Sequence, residues 1–332
     1  MVTMSDVARE AGVSVMTVSN VLTERKHVGP PTRARVLAAM ESLGYEINLT
    51  ARHLRAGRTD TVALIVPSFH DYFGEVADEI APLIEAEGRH LVLERTSANP
   101  VSEMESVSVA RVQMYDGVLL SVAGLDREAL DRISTSKPIV LLGERDVPDH
   151  VDHVRLANSE GARMATAHMI QGGARRVLAL GCTLGDEHTM ESDRRLGWEL
   201  AHRQAGLPVD QRYVVPIGPY SSHSARSALL AVIDSGLPFD AVFAATDVIA
   251  LGAVAALADR GLRVPDEVQL AGFDNLDVSS FVPPGITSVD PNHRGVAEHA
   301  VRLLHRRMAD AHAPAEHIVA PVHLVVRGST RA

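Results

Sequence analysis

Residues 6–22, Asp6-Val-Ala-Arg-Glu-Ala-Gly-Val-Ser-Val-Met-Thr-Val-Ser-Asn-Val-Leu22, constrain this chain more than any other stretch of it. Val7, Ala8 and Ala11 fall at helical spacing, Gly12 gives the backbone freedom to leave that helix sharply, and Val13 turns inward. Ser5 is the expected cap of this first helix and Ser14 of a second. In the second helix Val18, Val21 and Leu22 share one face, which leaves Val15, Met16 and Asn20 outside. Two short helices joined by a glycine turn are the arrangement that sets a helix into the major groove of DNA. There Asn20 offers a carboxamide to base edges and Val15 and Met16 an apolar surface to a thymine methyl, while Thr17 and Ser19 suit phosphate oxygens.

Charge supports a nucleic-acid role for this end of the chain. Residues 1–58 hold eight Arg or Lys against five Asp or Glu, a net of +3; the whole chain is −10, so residues 59–332 carry −13. An acidic protein with a basic head has confined its attraction for phosphate to one module. A third helix is expected from Gly29-Pro-Pro-Thr-Arg-Ala-Arg-Val-Leu-Ala-Ala-Met-Glu-Ser-Leu43, where two prolines are tolerated in the first turn and Val36, Leu37, Met40 and Leu43 would complete a three-helix core. Gly44-Tyr45 ends it. Beyond lies Asn48-Leu-Thr-Ala-Arg-His-Leu-Arg55, with helix potential but no long apolar face. Helices under about 12 residues are marginal alone in water, so this one is expected to form only against DNA or its own copy in a dimer.

Downstream the pattern changes. β-Branched runs at 61–66, 91–94, 117–122, 139–142, 177–180, 241–244 and 268–272 alternate with helical spacing at 75–87, 160–170, 224–235 and 249–260. That alternation implies an α/β fold with parallel sheets wound by helices. At roughly 100–150 residues per domain, the remaining length suits two lobes. Ligands of such folds sit beyond the carboxyl ends of strands. Tyr72 and Phe73 follow the first strand and can stack on a ring; Arg194 can donate a pair of hydrogen bonds; Asp274 can accept from two adjacent hydroxyls. Asp247 reads as a helix cap.

These residues together resemble the lactose-repressor/galactose-repressor (LacI/GalR) family of transcriptional regulators. In the head the matching pieces are Asp6-Val-Ala, Ala11-Gly-Val-Ser, Thr17-Val-Ser, Thr32-Arg, Leu43-Gly-Tyr, Ala51-Arg and Leu54. The receptor adds Arg194-Arg-Leu-Gly-Trp198, Asp247-Val-Ile-Ala-Leu-Gly252, Gly261-Leu-Arg-Val-Pro265, Gly272-Phe-Asp274 and Val326-Arg-Gly-Ser329. The resemblance implies a helix-turn-helix head over residues 1–46, a hinge helix at 47–58 and an effector-binding and dimerisation domain at 59–332 that is periplasmic-binding-protein-like. Its first lobe is expected at about 59–160 and 289–320, and its second at about 161–288 and 321–332. It implies operator contacts from Ser14, Val15, Met16, Thr17, Ser19, Asn20, Ala51, Leu54 and Arg55, with paired Leu54 side chains wedged into the minor groove. It also places Glu144, Tyr220 and Thr246 beside Tyr72, Phe73, Arg194 and Asp274 around the effector. Two positions depart from the family pattern: Ile47 stands where proline is common, and Thr23 replaces a frequent asparagine.

The implied function is a homodimeric repressor of a near-palindromic operator under control of a small effector. A sugar or sugar derivative is favoured by the family, and a nucleobase corepressor would use similar groups. No apolar heptad tail follows the last strand before Thr330-Arg-Ala332, so a dimer is expected over a tetramer. A transport-type solute-binding protein is the competing class, and the basic head argues against it. No signal peptide or run of about 20 apolar residues is present, so a cytoplasmic location and no membrane partner are expected. Neither a metal nor another cofactor is expected. His150-Val-Asp-His153 lacks a third ligand at recognisable spacing, and the single Cys182 reads as a buried small residue. Because no nucleophile, base and orienting group can be assembled, no catalytic residue is assigned and an enzyme is not expected.

Overall fold

A computed structural model describes residues 2–23, 28–45, 58–133, 137–185 and 188–331. The chain divides into two compact units, Met1–Thr59 and Asp60–Ala332.

The first unit contains α1 (Met4–Ala11), α2 (Val15–Thr23) and α3 (Pro30–Leu43). The first helix starts earlier than expected, and Ser5 lies inside it rather than capping it. Thr3 is the cap: its hydroxyl accepts from the Asp6 N–H at 3.3 Å while the Asp6 carboxylate accepts from the Thr3 N–H at 3.0 Å. An acidic residue three positions on satisfies two orphan amides at once, which Ser5 has no partner to do. Gly12, at φ 62°, turns the chain, and the Ser14 hydroxyl accepts from the Thr17 N–H at 3.1 Å to start α2. Val7, Ala8, Ala11, Val18, Val21, Val36 and Ala39 form the core, with Val13, Leu22, Met40 and Leu43 at its margin. Leu37, an expected core residue, is 47% exposed. The buried stripe runs Val36, Ala39, Met40, Leu43, and Leu37 sits about 100° around the helix from Val36.

The second unit holds twelve strands among its described residues: β1 (Thr61–Val66), β2 (His90–Arg95), β3 (Gly117–Ser121), β4 (Ile139–Leu142), β5 (Asp152–Leu156), β6 (Val177–Leu180), β7 (Val214–Val215), β8 (Ala241–Ala244), β9 (Gln269–Phe273), β10 (Thr287–Asp290), β11 (His317–Ala320) and β12 (His323–Val325). They form two six-stranded sheets, ordered β11-β5-β4-β3-β1-β2 and β12-β10-β9-β8-β6-β7. Every neighbouring pair is parallel except β10 with β12. Helices cover both faces, which is why strands such as Gly117–Ser121 and Ala241–Ala244 are buried along their whole length. The chain passes between the sheets three times: after β5, after β10, and between β11 and β12.

Two glycines set the helix packing of the second lobe. A Cβ on Gly197 would stand 2.0 Å from the Ser159 carbonyl oxygen, and one on Gly252 would stand 2.3 Å from that of Ser222. Backbones therefore touch where Met190–Gln204 crosses Asn158–Gln171 and where Asp247–Asp259 crosses Ser222–Asp234. Trp198, 1% exposed, fills the core beside the first crossing and donates its indole N–H to the Val177 carbonyl at 3.0 Å. Cys182 is a buried free thiol.

Candidate functional site

In the first unit, α2 presents the residues expected to read DNA. Val15 and Met16 are 42% and 70% exposed, large apolar side chains left in solvent by a domain with a filled core. Ser14 and Thr17 tie the helix start together, their hydroxyls 2.9 Å apart. Ser19 and Asn20 are half-buried on the same helix. Ala51, Leu54 and Arg55 lie outside the described residues, as does Ile47; of Thr23 the backbone alone is described.

In the second unit a cleft of ≈ 620 Å³ opens at the carboxyl ends of the strands of both lobes. All seven residues singled out in the sequence line it: Tyr72, Phe73, Glu144, Arg194, Tyr220, Thr246 and Asp274. Their geometry is a buried polar network. Arg194, 2% exposed, donates Nε–H to Asn158 Oδ1 at 2.7 Å and Nη1–H to the Ala245 carbonyl; its Nη2 stands 3.5 Å from Asp274 Oδ1. The guanidinium carbon lies 3.5 Å from the centroid of the Phe273 ring, in reach of a cation–π contact. Asn158 passes the network on, donating from Nδ2 to Glu144 Oε1 at 2.8 Å. Four side chains from both lobes are thus linked across the cleft floor. The Arg194–Asp274 ion pair lies in the wall of the cleft itself.

Asp274 is 3% exposed and sits at φ 105°, a backbone region that L-residues rarely enter. Burial pushes its carboxyl up to about 8, against the opposing pull of Arg194. Burial likewise raises Glu144, opposed by Arg194 and by the Asn158 hydrogen bond, and lifts the Tyr72 phenol above its ordinary range. Tyr72 meets Phe73 edge-on at 5.2 Å and leans on the His293 ring at 5.4 Å, forming one wall. Tyr220, 40% exposed, donates its hydroxyl to the Gly181 carbonyl at 2.9 Å.

Thr246, not Asp247, is the cap at this helix start. Thr246 is the cap of Asp247–Asp259, accepting from the Ile249 N–H at 3.3 Å, even as it lines the cleft. Asp247 is fully buried and accepts from the Leu276 N–H at 2.8 Å and from the Ser279 and Ser288 hydroxyls, each at 2.7 Å. It anchors the loop that carries Asp274. A Cβ on Gly272 would fall 2.1 Å from an Asp247 oxygen, which accounts for glycine in Gly272-Phe-Asp274.

Asn158, Arg145, Arg155 and Glu191 were not singled out in the sequence, yet the last three line the cleft and the first bridges two of its members. Asn158 opens a helix and would be read as a cap; only tertiary structure shows it buried between Glu144 and Arg194. Of the histidines weighed for metal, His153 is buried with Nε2 2.6 Å from the Gly143 carbonyl, and His150 faces Asp131 at 3.8 Å. Among the described residues no group of three or more His, Cys, Asp or Glu could hold a metal ion. No helix among them is long and apolar enough to cross a membrane.

A groove-reading head joined to a two-lobed receptor with a polar cleft defines a ligand-responsive DNA-binding regulator. Residues 3–48 match the model of bacterial regulatory proteins of the lacI family, and residues 166–330 that of a periplasmic binding protein-like domain. Catabolite control protein A of Priestia megaterium is 30% identical over 332 residues, 99% of each chain. The transcriptional repressor PurR of Histophilus somni is 28% identical over 336 residues, 100% of this chain and 99% of that one. Among solved structures, the regulator CelR in complex with cellobiose is 30% identical with a TM-score of 0.72, covering 99% of this chain and 100% of its own. The lac repressor dimer bound to operator and the anti-inducer ONPF is 25% identical with a TM-score of 0.82, covering 100% and 99%. The chain belongs to the LacI family. It is a DNA-binding transcriptional regulator with an α/β receptor, a class of proteins that are not enzymes.

Proposed function

We propose that this protein represses transcription as a homodimer on a near-palindromic operator, and that a sugar or sugar derivative held in the receptor cleft controls it. The observation that carries the effector reading is the buried Arg194–Asp274 pair beside the Tyr72–Phe73 wall. Paired donors and acceptors suit vicinal hydroxyls, and an aromatic edge suits the apolar face of a pyranose. Arg194 and Asp274 hold hydroxyls, Glu144, Tyr220 and Thr246 add single bonds, and Tyr72 and Phe73 stack. CelR, similar over 99% of this chain's length, is seen in complex with cellobiose, which supports this class of ligand. Val15, Met16 and Asn20 meet base edges while Ser14, Thr17 and Ser19 meet phosphates, with half-sites set by the helical repeat. Residues 47–58, including Ala51, Leu54 and Arg55, act as the hinge against the minor groove. The protein works in the cytoplasm, at the nucleoid when bound to its operator.

Thermal-shift screening of sugars and nucleobases, followed by operator binding with each hit, tests the reading. Stabilisation by a sugar that also changes operator affinity is expected. Stabilisation by purines alone would replace the sugar with a nucleobase, and a hit without effect on DNA would remove the control.

Effector affinity should depend on pH with a definite sign. A hydroxyl donating to Asp274 selects the ionised carboxylate, so affinity rises with pH and levels off above about 8. The slope is at most about tenfold per pH unit for a single proton. In the effector-free receptor the same group acts oppositely on stability. A carboxyl raised in the folded state stabilises fully below about 4, and that contribution is lost as pH climbs through the raised value. Calorimetric titration between pH 6 and 9, with Asp274→Asn as the flat control, checks the first sign; affinity falling with pH would refute it.

A further inference from the structure

The residues that immediately precede three adjacent strands meet at the end of the first sheet opposite the cleft. Asp60 precedes β1, Arg89 precedes β2 and Asp116 precedes β3, and the sheet order places β1 between the other two. Asp116 is buried, 8% exposed, and one of its carboxylate oxygens accepts from the Asp60 N–H at 3.0 Å, with Arg89 Nε 3.8 Å from that same oxygen. The Asp60 carbonyl accepts from the His90 N–H at 2.8 Å, so both backbone groups of Asp60 are held, one from each flank. One residue on, the Thr61 carbonyl accepts from the Asp116 N–H at 2.8 Å and the Thr61 hydroxyl donates to the Met114 carbonyl at 3.0 Å. Asp60 itself stands at φ 55°, a left-handed conformation that costs a non-glycine residue about 1 kcal/mol or more and persists only where its surroundings fix it.

Asp60 is also the first residue of the receptor unit, directly after the DNA-reading unit ends at Thr59. We propose that Asp116 is a positioning residue for operator binding, clamping the base of the linker that tethers the DNA-reading head to the receptor. A linker that pivots freely at its base spreads its head over a larger volume and lowers the effective concentration of a second head once the first is on DNA. Fixing Asp60 from two strands removes that freedom before DNA is met. The strands that supply the clamp also carry Val66, Arg95 and Ser121 at their other ends, so the same rigid sheet spans linker base and cleft wall. This inference rests on the operator-binding function proposed above.

Its test uses the full-length protein and an operator selected by the wild type from random double-stranded DNA. Asp116→Ala is expected to weaken that operator by about tenfold while leaving Tm and the sedimentation of the free protein close to wild type. Asp116→Asn keeps the acceptor for the Asp60 N–H and should recover affinity to within about threefold. Wild-type operator affinity in Asp116→Ala overturns the clamp. So does an Asp116→Asn variant as weak as Asp116→Ala, because lost charge alone would then be the cause. Should Asp116→Ala fail to fold, Asp116→Leu takes its place: it fills the space of the carboxylate without offering an acceptor to the Asp60 N–H, and undiminished operator affinity there overturns the proposal. A wild type that selects no sequence counts against DNA reading itself, a result distinct from wild type and variant binding equally well.

Discussion

Arg194→Ala is expected to leave operator binding intact and to abolish the response to effector. The side chain is 2% exposed and is the common partner of Asn158, Ala245, Phe273 and Asp274. Arg194 is a buried cation that donates to Asn158 and to the Ala245 carbonyl beside Asp274. Removing such a charge from a binding site costs about 2–5 kcal/mol, so effector affinity should fall on the order of 100-fold. Asp274 would keep its burial and lose the one neighbour that pulls its carboxyl downward, leaving Asp247, Asp71 and Glu144 to push it further up. Arg194→Lys should rescue little, since a single ammonium cannot span three acceptors in fixed directions. Titration calorimetry for the effector and fluorescence anisotropy for the operator separate the two activities. An Arg194→Ala protein that binds effector with wild-type affinity removes this residue from the ligand set.

Three positions along the same motif, Gly197→Val should damage the receptor rather than the cleft. Even a methyl group there would overlap the Ser159 carbonyl at 2.0 Å, the Ala162 methyl at 2.8 Å and the Arg163 amide at 2.8 Å. Two of these are backbone atoms, so the helices must part, and the Trp198 packing beside them opens. Overpacking of this kind costs about 3 kcal/mol, which lowers Tm by roughly 5 °C for a unit of this size. Differential scanning calorimetry should show the loss in the receptor transition, with the helical content of the head unchanged. A receptor that melts at the wild-type temperature would mean that the helix crossing yields more easily than two backbones in contact allow.

The motif Arg194-x-x-Gly197-Trp198 shows how legible this fold is in its sequence. Each of its residues has one physical task, respectively a buried donor, a backbone contact and a core filler, so residue type and position agree. Strands at 61–66, 139–142, 177–180 and 241–244 were readable for a similar reason: uninterrupted apolar runs have few alternatives when both sheet faces are covered. The strands β5, β7, β10, β11 and β12 were not. Asp152–Leu156 begins with an aspartate and a histidine, and it is buried only because Arg306 and Arg307, far along the chain, bracket the Asp152 carboxylate at 2.7 and 2.8 Å. Local composition cannot report a partner 154 residues away. Ser5 and Leu37 failed on a finer scale: an acidic partner three residues on decides which residue caps the first helix, and one residue's rotation about the third decides which side chain is buried. In the cleft, motif residues were found, and Asn158 was missed because its work lies between two side chains rather than in a motif.

The three passages of chain between the lobes carry a consequence for pharmacology. Lobes joined at three points swing about an axis instead of sliding freely, so what the cleft reports is an angle. If Arg194 and Asp274 hold the effector as proposed, a compact ligand that satisfies both would let the lobes shut. A derivative carrying the same hydroxyls plus a bulky substituent props them apart. Both occupy the same side chains, and each shifts the equilibrium only by its preference for one angle. Agonist and antagonist would then differ in girth rather than in polar chemistry.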